Sequence, residues 1–524
     1  MLVFLTLAIY VLAILAIVGL RLTRLAFSYS WLAAALGAFL AWLSVFFWQM
    51  ILPQPVLTGN WQSLSFFVVS PALLVDQVAW VYAMSFSTLA LAVILMAPAQ
   101  VTGISPSAWI GTLGLSLLAL LAFLADNPLT LVMVWTALDL AELLNTLRLS
   151  DKPNLSERAV ISFAVRALGT GFALWASALN PGTSGAASFE SISPQVGVYL
   201  LLAVGLRLGV LPLHLTYRSE PALRRGMGTV LRMAAASSSL VLLARIPAGL
   251  ALGGWTTVLL GLLMLALVYG GWKFLTVTDP LSARPFWLIG LGALAVIAAL
   301  RGNLAGSAAW GSAMILFGGL VFLYSAHQRV YTFILSGLGL GLLALPFTLT
   351  ASAWQGGAPL DWLFWPAALA GQTMLSVGYV VHLWRSAERE LAHLPRWAQS
   401  AYPLGLAALG IMIILLGLWG WPGALQLGVW WPGVLVSLLT FIALVVLWRL
   451  SRASEPLLVR GKSASDESVS RLSFFAETFA ESIWWFYRTL RRLVDFISGL
   501  LEGDGGLLWT LLVLVLLMIL FQQI

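Results

Sequence analysis

Apolar residues run in blocks of about twenty along most of this chain, separated by short breaks that carry Arg, Lys, Pro or Gly. That block length matches an α-helix crossing roughly 30 Å of hydrocarbon. The blocks predict about sixteen spans, at roughly 2–20, 30–51, 72–96, 106–125, 128–149, 159–179, 196–217, 223–249, 254–276, 284–300, 306–326, 330–350, 361–385, 402–420, 430–449 and 506–522. A transmembrane barrel needs segments of about ten residues alternating with period two, and runs such as ALLAFLA at 119–125 do not alternate. The pattern predicts an all-α polytopic membrane protein, with backbone polar groups satisfied inside each helix.

One stretch departs from the pattern. Residues 451–470 (SRASEPLLVRGKSASDESVS) read as a polar linker. From Arg471 to Leu501, apolar positions such as Phe475, Phe479, Ile483, Phe486, Leu490 and Ile497 recur at helical spacing between Glu477, Glu481, Arg488, Arg491 and Arg492. This predicts an amphipathic helix about 45 Å long at 1.5 Å per residue, either anchored on the membrane surface or strapped along this or a neighbouring subunit.

Composition sharpens the class. The chain is 61% hydrophobic and 9% charged, and it has no cysteine, so disulfides, thiolate-held metals and iron–sulfur clusters are not expected of it. The four histidines, His214, His327, His382 and His393, show no zinc-type spacing, and no cofactor, metal site or catalytic constellation is expected. The first apolar block starts at residue 2 without a basic leader and is followed by Arg21 and Arg24, which reads as a retained first span and not a signal peptide.

The net charge of +7 reflects topology, not nucleic-acid binding. With the N-terminus outside, every Lys and Arg falls in an inside loop except Arg245 and Arg301 near outer span ends and Arg166, Arg207 and Arg232 within spans. Such a positive-inside bias predicts a multi-pass protein of the cell (inner or plasma) membrane with both termini outside.

Asp139, Glu142, Arg166, Arg207 and Arg232 lie inside apolar blocks, where an unpaired charge costs at least a few kcal/mol. Asp139 and Arg207 each lie about eleven residues from an outer span end, roughly 16 Å, with Glu142 and Arg166 a little deeper. Asp139–Arg207 and Glu142–Arg166 are therefore candidate pairs, and the i, i+3 spacing of the two acids places both on one helix face. Three readings stay open: a static hydrogen-bonded network fixing helix packing, an ion path, or a substrate pocket. His214 reads as a helix-end histidine or a further path member, and Asp76 as a cap or interface group.

Several stretches resemble the antiporter-like subunits of respiratory complex I, Mrp-type cation/proton antiporters and membrane-bound hydrogenases. They are SPALLVDQVAWVYAMSFSTLALAV (with Asp76), DNPLTLVMVWTALDLAELL, AVISFAVRALGTGFAL, GLRLGVLPLHLTYRSEP and TDPLSARP, in matching order over about residues 70–290. The resemblance implies two inverted five-helix repeats, then further spans with a lateral helix before the last. It implies N-terminal spans at 1–105, a first repeat or half-channel at 106–250, a degenerate second repeat at 251–385 and C-terminal spans at 386–449. Linker and lateral helix would occupy 450–505 and the last span 506–524. It also implies a Glu–Lys pair feeding a mid-membrane Lys or His chain. Residue by residue, Thr136 stands at the Glu position and Arg207 at the central Lys, with Ser237 near the next Lys and Trp354 near a later Lys or Glu; His214 matches the histidine of the Pro–Leu–His exit.

A proton relay requires groups that load and release, and guanidinium does not release. The expected function is a membrane subunit of a complex-I-like, Mrp-like or hydrogenase-like assembly. It would translocate H+ or Na+, or brace the membrane arm with a degenerate channel, among lipid and other membrane subunits. At most it is the non-redox subunit of a NADH:quinone oxidoreductase-like translocase. The alternatives are a stand-alone secondary transporter of a small charged substrate and a non-transporting structural subunit, for instance in inorganic-carbon uptake.

Overall fold

A computed structural model of the chain describes residues 1–23, 27–56, 72–100, 106–149, 153–179, 189, 192–215, 225–247, 249–250, 252–325, 328–385, 396–419 and 430–458. Residues Met1–Ala443 form one compact unit and Leu444–Ile524 a second. The described residues contain fifteen α-helices and one two-stranded antiparallel sheet. The helices open with α1 (Leu2–Leu22), α2 (Phe27–Phe46), α3 (Gln77–Gln100), α4 (Pro106–Leu124) and α5 (Pro128–Leu149). They continue with α6 (Pro153–Leu179), α7 (Pro194–Leu208), α8 (Arg225–Leu243), α9 (Trp255–Thr276) and α10 (Arg284–Leu300). The last are α11 (Leu304–Leu323), α12 (Arg329–Leu338), α13 (Trp365–Arg385), α14 (Arg396–Trp419) and α15 (Trp431–Leu458). Strand β1 (Gln54–Val56) pairs antiparallel with β2 (Leu73–Val75), Gln54 facing Val75, and leads into α3.

Local chemistry sets the helix starts. Helices α4 to α7 open on proline, which lacks the N–H that a first turn would leave unsatisfied. Asp76, Asn127 and Asn303 accept from the backbone N–H of Ala79 (2.6 Å), Thr130 (2.8 Å) and Gly306 (2.8 Å), capping α3, α5 and α11. Helix α7 ends on Gly209 at φ 75°, a left-handed position suited to glycine.

Among the described residues eleven helices are long and apolar enough to cross a membrane, with shorter apolar helices at Pro194–Leu208, Arg284–Leu300 and Arg329–Leu342. The protein is thus all-α and multi-pass. Fifteen of the expected runs fall on α1 to α15; the sixteenth, 506–522, and the lateral helix at 471–501 lie outside the described residues. Helices α3, α8 and α11 form the centre and are almost wholly buried, α8 carrying Arg232 and Ser239 into it, whereas much of the apolar surface of α1 and α6 is exposed, as on lipid-facing helices.

The expected span at 330–350 is corrected. Helix α12 stops at Leu338, a 3-10 turn follows at Gly339–Leu342, and the chain then runs through turns to α13. Gly337, Gly339, Gly341 and Pro346 weaken helix continuation there, and Ala344 (φ 55°) and Phe347 (φ 62°) turn left-handed. Side chains replace the lost ladder: Thr350 Oγ1 accepts from Ala344 N (3.0 Å) and donates to Gly341 O (2.8 Å), and Gln372 Nε2 donates to Leu342 O (2.9 Å). Irregular backbone inside a membrane protein persists only where such partners exist.

Glycines set the contact of α9 with α10 and α13. A Cβ on Gly270 would lie 2.7 Å from Gly290 N and 3.0 Å from Phe286 O, backbone that cannot swing aside. Gly270→Ala is expected to cost about 1–3 kcal/mol by overpacking. Gly261→Ala, where nothing lies within 4 Å, is expected to change stability by at most about 1 kcal/mol. Unfolding of the two variants in detergent compares them directly.

Candidate functional site

The five intramembrane charges meet in one place. Helix α5 presents Asp139 and Glu142 on one face, and α6, α7 and α8 bring Arg166, Arg207 and Arg232 against it; all five are at most 3% exposed. Asp139 takes both prongs of Arg207, Nη1 to Oδ2 at 2.7 Å and Nη2 to Oδ1 at 3.0 Å. Arg166 bridges the acids, with Nε 3.1 Å from Asp139 Oδ1 and Nη1 2.8 Å from Glu142 Oε1. Arg232 Nη1 pairs with the same Glu142 oxygen. The result is a chain of ion pairs, Arg207–Asp139–Arg166–Glu142–Arg232, running across four helices.

Neighbouring groups hold Arg207 in one pose. Its Nε donates to Ser239 Oγ (3.1 Å), and Nη1 also reaches Thr170 Oγ1 (2.9 Å) and Arg166 O (3.3 Å). Its guanidinium carbon sits 4.2 Å from the centre of the Trp135 ring, and Trp135 Nε1 is tied to Ser238 O at 3.0 Å. Gly169 leaves room for the Arg207 stem, since a Cβ there would lie 2.7 Å from Arg207 Cγ. Thr170, Ser239 and Gly169 were not singled out by the sequence; only their small size on the helices facing Arg207 hinted at them.

The remaining expected members stand apart. His214 lies beyond the end of α7, where Nδ1 meets Pro212 O at 2.8 Å; burial pushes its pKa below the ordinary value, against the opposing pull of that carbonyl. Thr136 bonds back to Val132 O (2.8 Å) and is exposed, and Ser237 bonds to Met233 O (2.5 Å) within its own helix. Trp354 donates to Gln372 Oε1 (3.0 Å). Asp76 caps α3 and is gripped by Arg245, whose Nη2 lies 2.9 Å from Oδ1 and whose Nη1 also reaches Ala125 O, so this pair ties α3, α4 and α8 together at one end.

Three guanidiniums against two carboxylates leave one positive charge in excess within the five. Both Asp139 oxygens are engaged, Glu142 Oε1 is shared by two arginines, and Glu142 Oε2 accepts no hydrogen bond among the described residues. Between residues 252 and 385 no carboxylate is buried among the described residues; Asp279 and Asp361 are exposed, and the buried basic groups are Arg284, Arg301 and His382. No cluster of three His, Asp or Glu that could hold a metal occurs among the described residues.

Removing one member strands the others. Asp139→Leu or Arg207→Leu alone is expected to cost about 3–5 kcal/mol, because an unpaired charge remains buried. The double variant is expected to cost clearly less than the two together, which a double-mutant cycle read by unfolding in detergent measures.

No protein-family model matches this sequence, and no curated protein does. Solved structures do. A chain of the Mrp complex from Dietzia sp. DQ12-45-1b superposes with a TM-score of 0.67 at 16% identity, covering 98% of this chain and 62% of that one, so this protein spans under two thirds of its length. A chain of the membrane-bound sulfane sulfur reductase (MBS), an archaeal respiratory membrane complex, matches at 0.60 and 15% identity over 98% and 99% of the two chains. A chain of respiratory complex I from Thermus thermophilus matches at 0.55 and 20% identity over 79% and 97%. At these identities the likeness is one of fold: the chain is a multi-pass membrane protein built like subunits of the Mrp, complex I and MBS assemblies.

Proposed function

We propose that this chain is a membrane subunit of a multisubunit complex-I-like, Mrp-like or MBS-like assembly, and that it braces the membrane arm instead of conducting protons or sodium through its own first half. The observation that carries this reading is the clasping of both buried carboxylates by arginines. A relay site must load and empty a proton, and a guanidinium with pKa above about 12 does neither. The excess positive charge also repels a cation at the depth where it would have to pass. Beyond residue 252 no buried carboxylate among the described residues offers a next station. What the network supplies is registry: five charges on four helices satisfy one another in one arrangement, and each slipped packing leaves a charge unpaired.

In this reading residues 106–250 correspond to a half-channel that has lost its releasable centre and 251–385 to its degenerate partner. Both termini face outside, in line with the placement of the basic residues. With no cysteine in the sequence, electron transfer through thiolate-held iron–sulfur clusters would reside in partner subunits.

Purification of a tagged chain from its own membranes in mild detergent tests the reading. Other membrane subunits are expected to copurify in fixed ratio, and proteoliposomes of the isolated chain are expected to leak H+ and Na+ no faster than empty vesicles. A chain that purifies alone and transports protons, sodium or a small charged solute would contradict it.

A further inference from the structure

A second buried charge lies far along the chain from the first site and has no carboxylate among its partners. Arg301, at the junction of α10 and α11, is 8% exposed. Its Nε donates to Ala358 O at 2.7 Å, Nη2 reaches Gly356 O only at 3.4 Å, and Nη1 has no hydrogen-bond partner among the described residues. The 3.4 Å contact is marginal for a hydrogen bond. Two more buried polar atoms of this region are unpartnered among the described residues: Ser307 Oγ in the first turn of α11, and Ser352 Oγ on the segment that Asn303 pins through Ser352 O (2.9 Å) and Ala353 O (3.1 Å). Helix α11 has twenty residues and no acid in its first turn, so its positive end adds to the guanidinium.

Backbone carbonyls supply dipoles but no countercharge, and a buried guanidinium without one is costly. The Nη1/Nη2 edge, the fork that grips phosphate and carboxylate groups, is the edge left nearly unsatisfied here. The surroundings identify the anion. Trp362 (82% exposed), Leu363 (63%) and Phe347 (53%) project from the same turn-rich segment between α12 and α13, as anchors at a membrane–water interface do. The group most abundant at that level is the phosphate of a lipid head.

We propose that Arg301, with Ser307 and Ser352, forms a binding site for the phosphate of an acidic phospholipid at the membrane interface. A phosphate oxygen replaces Gly356 O as the acceptor for Nη2 and gives Nη1 its partner. The exposed Gly356 and Gly357, both left-handed (φ 67° and 71°), form the part of the loop that yields. The site does not depend on the bracing role.

The test is thermal unfolding of the full chain in neutral detergent, titrated separately with dioleoylphosphatidylglycerol, dioleoylphosphatidylcholine and inorganic phosphate. Phosphatidylglycerol is expected to stabilise the native chain at concentrations about tenfold below phosphatidylcholine. Arg301→Gln is expected to remove about that factor, the equivalent of one charge-assisted hydrogen bond. If Arg301→Gln does not fold, the Ser307→Ala/Ser352→Ala variant carries the test, with binding expected about threefold weaker. No preference of the native chain for phosphatidylglycerol, or a folded variant that binds it as tightly as the native chain, would overturn the proposal. Stabilisation by inorganic phosphate equal to that by phosphatidylglycerol would overturn the lipid as the source while retaining the anion site.

Discussion

Charge inside a helix bundle must find charge, and among α5 to α8 the need is met by a relay of contacts in which three guanidiniums share two carboxylates. Much of the arrangement of α5 to α8 follows from it. Asp139 and Glu142 must share a face, so α5 cannot rotate; Arg166 must touch both, which fixes α6; Arg207 must sit over Trp135 with its fork on Asp139, which fixes α7. Small residues at Gly169, Thr170 and Ser239 are the complement that lets an arginine occupy so narrow a place. Such a network contributes little net stability over an apolar core of the same volume, but it penalises every alternative packing.

Much of this was legible in the sequence. Block length located α1 to α11 and α13 to α15, because the hydrocarbon thickness sets the length of a span. The pairing of Asp139 with Arg207 and of Glu142 with Arg166 followed from depth and i, i+3 spacing alone. Illegible were the contacts that depend on three-dimensional register: Arg166 reaching back to Asp139, Arg232 joining Glu142, and the hydroxyls around Arg207. A hydroxyl in a helix donates by default to its own i−4 carbonyl, as Thr136, Thr170, Ser237 and Ser239 all do, so sequence does not say which of them also accepts from an arginine.

The stretch after α12 marks the other limit. Its hydropathy matches a span, yet glycine at 337, 339 and 341 with Pro346 converts it into a short helix and a pinned irregular segment. Apolar character reports burial and not conformation. Thr350, Gln372, Asn303 and Arg301 replace the missing helical hydrogen bonds one by one, and such side chains are recognised only once the segment they serve is known to be irregular.

If the five charges brace the helices and carry no ion, their charge is dispensable as a set although no member is dispensable alone. The most direct measurement replaces Asp139, Glu142, Arg166, Arg207 and Arg232 together by Leu or Met and follows ion translocation by the intact native assembly. The expected result is an assembly of native composition that translocates ions at the native rate; a correctly assembled complex whose translocation is lost would contradict the bracing role.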